Sequence, residues 1–146
     1  FTSGPKEIIE ILRQKSRPYL FSNTLAPAIV GASLGVLEIL ETDNSFLKQL
    51  NNNTNLFRTG MKKLGFDIKP GNHPIVPVML YDDHLAQKMS ENLLELGIYV
   101  IGFFFPVVPK GEARIRVQLS AAHSNKNILQ ALDAFEKVGR ELRVIK

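Results

Sequence analysis

The sequence predicts an α+β fold, a largely antiparallel sheet covered on one face by helices. Two patterns carry that expectation. Residues 113–120 (ARIRVQLS) alternate strictly between apolar and polar, the period of a half-buried strand. Leu47, Leu50, Thr54, Phe57, Met61 and Leu64 recur at steps of three and four, the period of a helix with one face on a core.

In chain order, Pro5 opens a first helix, where its missing N–H is harmless. Ile8, Ile9 and Leu12 give that helix a stripe, and it is expected to stop before Pro18. Residues 17–25 (RPYLFSNTL) read as extended or irregular. A second helix, 27–41, carries Ile29, Val30, Leu34, Val36, Leu37, Ile39 and Leu40, with Gly31, Ser33 and Gly35 permitting close approach. So apolar a helix predicts burial. The third helix holds the stripe from Leu47 to Leu64, contains Asn51, Asn52 and Asn53, and stops at Gly65. Residues 66–69 and 75–80 read as short strands joined by the turn Pro70-Gly71-Asn72. Asp82 or Asp83 caps a helix striped by Ala86, Met89, Leu93 and Leu96 and ended by Gly97. Residues 98–101 form a strand, 102–112 a loop, and 113–120 the alternating strand. Ser124 then caps a last helix bearing Ile128, Leu132, Phe135 and Val138. The expected order is α-α-α-β-β-α-β-β-α.

Composition narrows the function. With no cysteine, the chain has no disulfide framework, thiol nucleophile or cysteine zinc site. The net charge of +4 comes from basic residues spread from Lys6 to Lys146 with acids interleaved, unlike the clustered face of a nucleic-acid binder. No apolar run approaches the roughly 20 residues of a membrane-spanning helix. A chain that opens on Phe1 is expected to be part of a longer one.

Chemistry concentrates on few residues. Ala113, Ile115, Val117 and Leu119 point to one side of their strand, and Arg114, Arg116, Gln118 and Ser120 to the other. Two arginines on one strand face suit a carboxylate or phosphate clamp, because a guanidinium offers a planar fork that lysine lacks. A solvated face with surface ion pairs is the alternative. Ser22, Asn23 and Thr24 precede the helix at Pro27 and carry groups that hold a phosphate at a helix start, or merely cap it. His123 reads as a local hydrogen-bonding residue, His73 as a turn residue and His84 as a helix-surface residue. No pair of these histidines has metal-ligand spacing, so no metal site is expected. Asp82 and Asp83 read as caps.

The stretch Arg17-Pro18-Tyr19-Leu20-Phe21-Ser22-Asn23-Thr24-Leu25-Ala26-Pro27 resembles a segment of the α-oxoamine synthase family, in its glycine C-acetyltransferase branch. So do Pro74-Ile75-Val76-Pro77-Val78-Met79-Leu80, the run from Gly102 through Pro106 and Pro109 to Gly111, Ala113-Arg114-Ile115-Arg116, and Ser120-Ala121-Ala122-His123. The resemblance covers essentially the whole chain and is most specific from Pro106 to Arg116. Related 5-aminolevulinate synthases tend to carry Pro-His-His in place of Ala121-Ala122-His123, and 8-amino-7-oxononanoate synthases usually have Ser-Thr-Ser in place of Ser22-Asn23-Thr24.

This resemblance implies the C-terminal part of a fold-type I, homodimeric transferase dependent on pyridoxal 5'-phosphate. Such an enzyme interconverts glycine plus acetyl-CoA with 2-amino-3-ketobutyrate plus CoA, in threonine breakdown. It implies that Arg116 grips the substrate carboxylate, that Ser22, Asn23 and Thr24 reach the cofactor phosphate of the partner subunit, and that 102–112 is a lid. The cofactor lysine would lie upstream of Phe1, leaving no catalytic residue in this chain. Residues 1–42 would end the large domain and link it to a small domain, 43–146. The expected location is the bacterial cytoplasm, or the mitochondrial matrix in a eukaryote. Two alternatives stay open: another α-oxoamine synthase, such as one like 8-amino-7-oxononanoate synthase, and a non-catalytic anion-binding α+β module.

Overall fold

A computed structural model describes residues 2–21 and 25–146. The chain divides into two compact units, Phe1–Asp43 and Asn44–Lys146. The first holds helices α1 (Lys6–Lys15), α2 (Arg17–Leu20) and α3 (Pro27–Thr42). The extended or irregular reading of 17–25 fails at its start, where Arg17–Leu20 forms a helical turn. Pro18 explains this: the property that bars it from a helix interior suits it to a first turn, and Ser16 takes the extended conformation between the two helices.

The expected burial of α3 also fails. None of its residues is buried, and Ile29, Leu34 and Val36 are each more than half exposed, at 53%, 62% and 54%. Apolar composition records what a helix gains by leaving water, and that gain needs a partner surface. Tyr19, Leu20, Phe21 and Leu25 are exposed as well.

The second unit contains α4 (Ser45–Leu64), β1 (Ile75–Met79), α5 (Asp83–Glu95), β2 (Ile101–Phe103), β3 (Arg114–Gln118) and α6 (Asn125–Glu141). Its sheet runs β1-β3-β2 with both pairings antiparallel, so the alternating strand is central. Val117 faces Val76, and Ile115 faces Val78 on β1 and Gly102 on β2. Val76, Val78, Ala113, Ile115, Val117 and Leu119 all enter the core, where α4, α5 and α6 supply Phe57, Met61, Met89, Leu93, Ile128 and Phe135. Phe135 sits between Phe57 and Phe66, with edge-to-face contacts at 5.8 Å to each.

Helix ends follow the sequence signals. The Asp82 carboxylate accepts the Leu85 N–H at 2.7 Å, and Ser124 forms a capping box with Asn127. Gly65 closes α4 in the left-handed conformation, at φ 93°. Gly102 serves a different need, because a Cβ there would lie 3.0 Å from the Ala86 carbonyl oxygen, so β2 packs close on α5.

Two expected strands are corrected. Residues 66–69 contribute only a single bridge, Ile68 to Val78, and the strand expected at 98–101 begins at Ile101 and ends at Phe103. The reason is shared. Phe66 donates its N–H to the Met61 carbonyl at 3.0 Å, and Ile98 donates to Leu93 at 2.9 Å. Each is the apolar residue just past a glycine, and it closes the helix before it rather than opening a strand. Two residues assigned to the loop 102–112, Gly102 and Phe103, therefore belong to β2.

Candidate functional site

The outer face of β3 separates its two arginines. Arg114 is turned back on its own loop: Nε donates to the Glu112 carbonyl at 2.9 Å, and Nη2 pairs with the Glu112 carboxylate at 2.8 Å. Arg116 is exposed, and its guanidinium lies 4.1 Å from the centroid of the Phe103 ring. Among the described residues no carboxylate pairs with it. Stacking on an aromatic face orients a guanidinium without using its N–H donors. Arg116 therefore keeps its fork for a ligand.

The groove beside Arg116 has a volume of about 410 Å³ and is lined in part by Tyr99, Phe103, Gln118, Ser120 and His123. The fold thus gathers Arg116, Gln118, Ser120 and His123, which the sequence reading treated separately, and leaves Arg114 tied to Glu112. Ser22, Asn23 and Thr24 lie outside the described residues. In the loop after β2, Val108 is buried while Phe105 and Val107 are exposed, and Lys110 lies 5.0 Å from the centroid of the Phe105 ring.

His123 is held locally. Its Nδ1 accepts the Ser120 N–H at 3.2 Å, which leaves Nε2 to carry the proton of the neutral ring. Its own N–H donates to the Ser120 carbonyl at 3.2 Å, so Ser120 and His123 close a tight turn after β3. The sequence reading of His123 as a local hydrogen-bonding residue describes this geometry.

Sequence reasoning missed two polar side chains on α4. Asn53 is fully buried, and its Nδ2 donates to the carbonyls of Ser120 at 2.9 Å and His123 at 2.8 Å. Its Oδ1 accepts from Gln49 at 3.0 Å. Arg58 is 7% exposed and donates to the carbonyls of Lys69 and His73 at 2.9 Å, with longer bonds of 3.3 Å to His73 and Ile75. In sequence both look like surface residues of a helix. The only local hint is that they share a side with Leu50, Thr54, Phe57 and Met61.

Tyr81 was likewise unremarked. It has a positive φ of 65°, and its hydroxyl donates to the Asp67 carboxylate. That bond, more than any other influence, raises the phenol above its ordinary value of 10.0. A raised value means the bond is fully present below the unfolded-state value and is lost as pH rises through the folded one. Subtracting the 295 nm alkaline titration of Tyr81→Phe from that of wild type should leave a transition above the ordinary phenol value. A difference midpoint at or below that value would show that the bond does not form.

Comparison with known proteins puts this geometry in a family. Residues 1–135 match the family model described as "Aminotransferase class I and II". The 2-amino-3-ketobutyrate coenzyme A ligase of Salmonella typhimurium is 52% identical over 145 residues, covering 99% of this chain and 36% of that protein. An 8-amino-7-oxononanoate synthase from Thermosipho melanesiensis is 46% identical, over 99% of this chain and 37% of its own length. Among solved structures, a serine palmitoyltransferase from S. paucimobilis with bound PLP-myriocin superposes with a TM-score of 0.87 at 31% identity, over 99% of this chain and 36% of that one. The chain thus spans little more than a third of the relatives it matches. With the match running through both units, the chain belongs to the aminotransferase class I and II family.

Proposed function

We propose that this chain is the C-terminal part of a pyridoxal-phosphate-dependent acyltransferase that interconverts glycine plus acetyl-CoA with 2-amino-3-ketobutyrate plus CoA, in the direction of threonine breakdown or its reverse. The observation that carries the reading is Arg116, a guanidinium stacked on Phe103 and unpaired with any described carboxylate, at the edge of a groove. A glycine carboxylate fits that fork through two parallel charge-assisted bonds. The 52% identity to a 2-amino-3-ketobutyrate coenzyme A ligase supports the choice of glycine and acetyl-CoA.

The groove suits the substrate end of such a site and not its covalent end. The residues that line it offer a guanidinium, an amide, a hydroxyl, a phenol and an imidazole, groups that bind and orient. Ser22, Asn23 and Thr24 are the residues assigned here to the cofactor phosphate, across a homodimer interface. When bound, pyridoxal phosphate supplies an electron sink at the amino acid's α-carbon. The work of this chain is orientation: Arg116 fixes the carboxylate, and Phe103 fixes Arg116. Residues 104–112 are assigned a closing role over the groove, where exclusion of water strengthens each charged contact. Residues 1–42 are assigned to the large domain and its link, and 43–146 to the small domain.

The test is an assay of the complete protein loaded with pyridoxal phosphate. Glycine and acetyl-CoA should release free CoA thiol at a rate that saturates in both substrates. Turnover only when alanine and a longer acyl-CoA replace glycine and acetyl-CoA would move the protein to the 8-amino-7-oxononanoate synthase side. No turnover with either amino acid and any acyl-CoA would leave an anion-binding module.

A further inference from the structure

The Ser120–His123 turn supplies two lining residues of the Arg116 groove, and besides its own hydrogen bonds it is tied to another element, far away in sequence. Asn53, on the buried side of α4, is fully buried, and both hydrogens of its amide are used on this one turn, at the Ser120 and His123 carbonyls. Two carbonyl acceptors settle which end of the amide faces the turn. The other end is braced by Gln49. The neighbours Asn51 and Asn52 are exposed, so only one residue of this asparagine run has this role. A packing role alone would be met by an apolar residue of similar size. A buried amide with three bonds instead specifies one arrangement of the groups it joins.

We propose that Asn53 is a positioning residue for the substrate groove, its amide holding the turn that places Ser120 and His123 in the same groove as Arg116. This rests on the glycine reading above. Release of the turn would shift two groove residues while Arg116 stays fixed by β3 and Phe103. The cost should therefore fall on amino-acid binding more than on acyl-CoA binding.

The experiment uses the complete protein with Asn53→Asp, Asn53→Ala and Gln49→Ala. Asn53→Asp keeps the size but sets an oxygen against two carbonyls. It should raise the glycine KM about tenfold with kcat within about threefold and the acetyl-CoA KM within about twofold, the pattern of a small misplacement. Asn53→Ala should act in the same direction, and Gln49→Ala should give a smaller rise, about two- to fivefold. In hydrogen exchange the amides of Ser120 and His123, both bonded inside the turn, should exchange faster in Asn53→Asp. A folded Asn53→Asp protein with a wild-type glycine KM overturns the proposal. So does a lower apparent kcat with both KM values unchanged, the pattern of lost folded protein. If neither Asn53 variant folds, Gln49→Ala decides, and an unchanged glycine KM overturns it. A wild-type protein with no glycine turnover refutes the proposed function instead. The exchange measurement then stands alone, and unchanged exchange at the two amides overturns the positioning role whatever the substrate.

Discussion

Under the proposed function, Arg116→Ala is expected to raise the glycine KM of the complete protein at least tens-fold, measured by steady-state kinetics with glycine varied at saturating acetyl-CoA. Removing one partner of a buried hydrogen-bonded charge pair costs about 2–5 kcal/mol, part of it the penalty of leaving the substrate carboxylate unpaired, and the closing role proposed for residues 104–112 is what would bury this pair. Arg116→Lys keeps the charge and loses the fork, so its KM should fall between. Arg114→Ala is the contrast. Arg114 already spends its donors on Glu112, through the carbonyl and the carboxylate, so its loss should disturb the loop more than the substrate. A near-normal Arg116→Ala with a crippled Arg114→Ala would transfer the carboxylate role one pleat repeat along the strand.

Phe135→Ala is expected to be the most destabilising single truncation in the unit Asn44–Lys146. The ring is fully buried between Phe57 and Phe66, and α6 contributes it to the centre of the core. Replacing a buried phenylalanine with alanine costs about 3–5 kcal/mol in lost transfer energy and residual cavity. Urea unfolding should show a lower midpoint with an unchanged slope, the mark of lost stability rather than a changed unfolded state. Phe135→Leu refills most of the volume and should lose less. A loss below about 1 kcal/mol for the alanine variant would mean that the helices collapse around the gap.

The central strand and the helices α4, α5 and α6 were legible because each is written in a local period. Strand 113–120 alternates without a fault, and its four inward residues are all buried. Misreadings cluster where one residue had two possible employers. Phe66 and Ile98 look like strand starts, but their N–H groups close the helices before them. Pro18 marks an end in sequence and a beginning in structure. Burial of α3 was inferred from composition alone, which carries no information about a partner. At the candidate site the strand pattern offered Arg114 and Arg116 alike, and only the resemblance preferred Arg116; the pairing of Arg114 with Glu112 and the stacking of Arg116 on Phe103 are contacts that no local period encodes. Asn53 was hidden most completely, since the carbonyls it serves lie 67 and 70 residues further on.

The clasp made by Arg58 differs from the ion pairs on the surface in one practical respect. Its acceptors are the backbone carbonyls of Lys69, His73 and Ile75, not carboxylates. A carboxylate is supplied by one particular side chain, whereas every residue of the chain supplies an amide carbonyl. The ion pair between Glu112 and Arg114 is therefore lost with any replacement that removes the Glu112 carboxylate. The clasp between α4 and the entry to β1 tolerates a change of side chain at Lys69 or His73, provided the main chain there keeps its course.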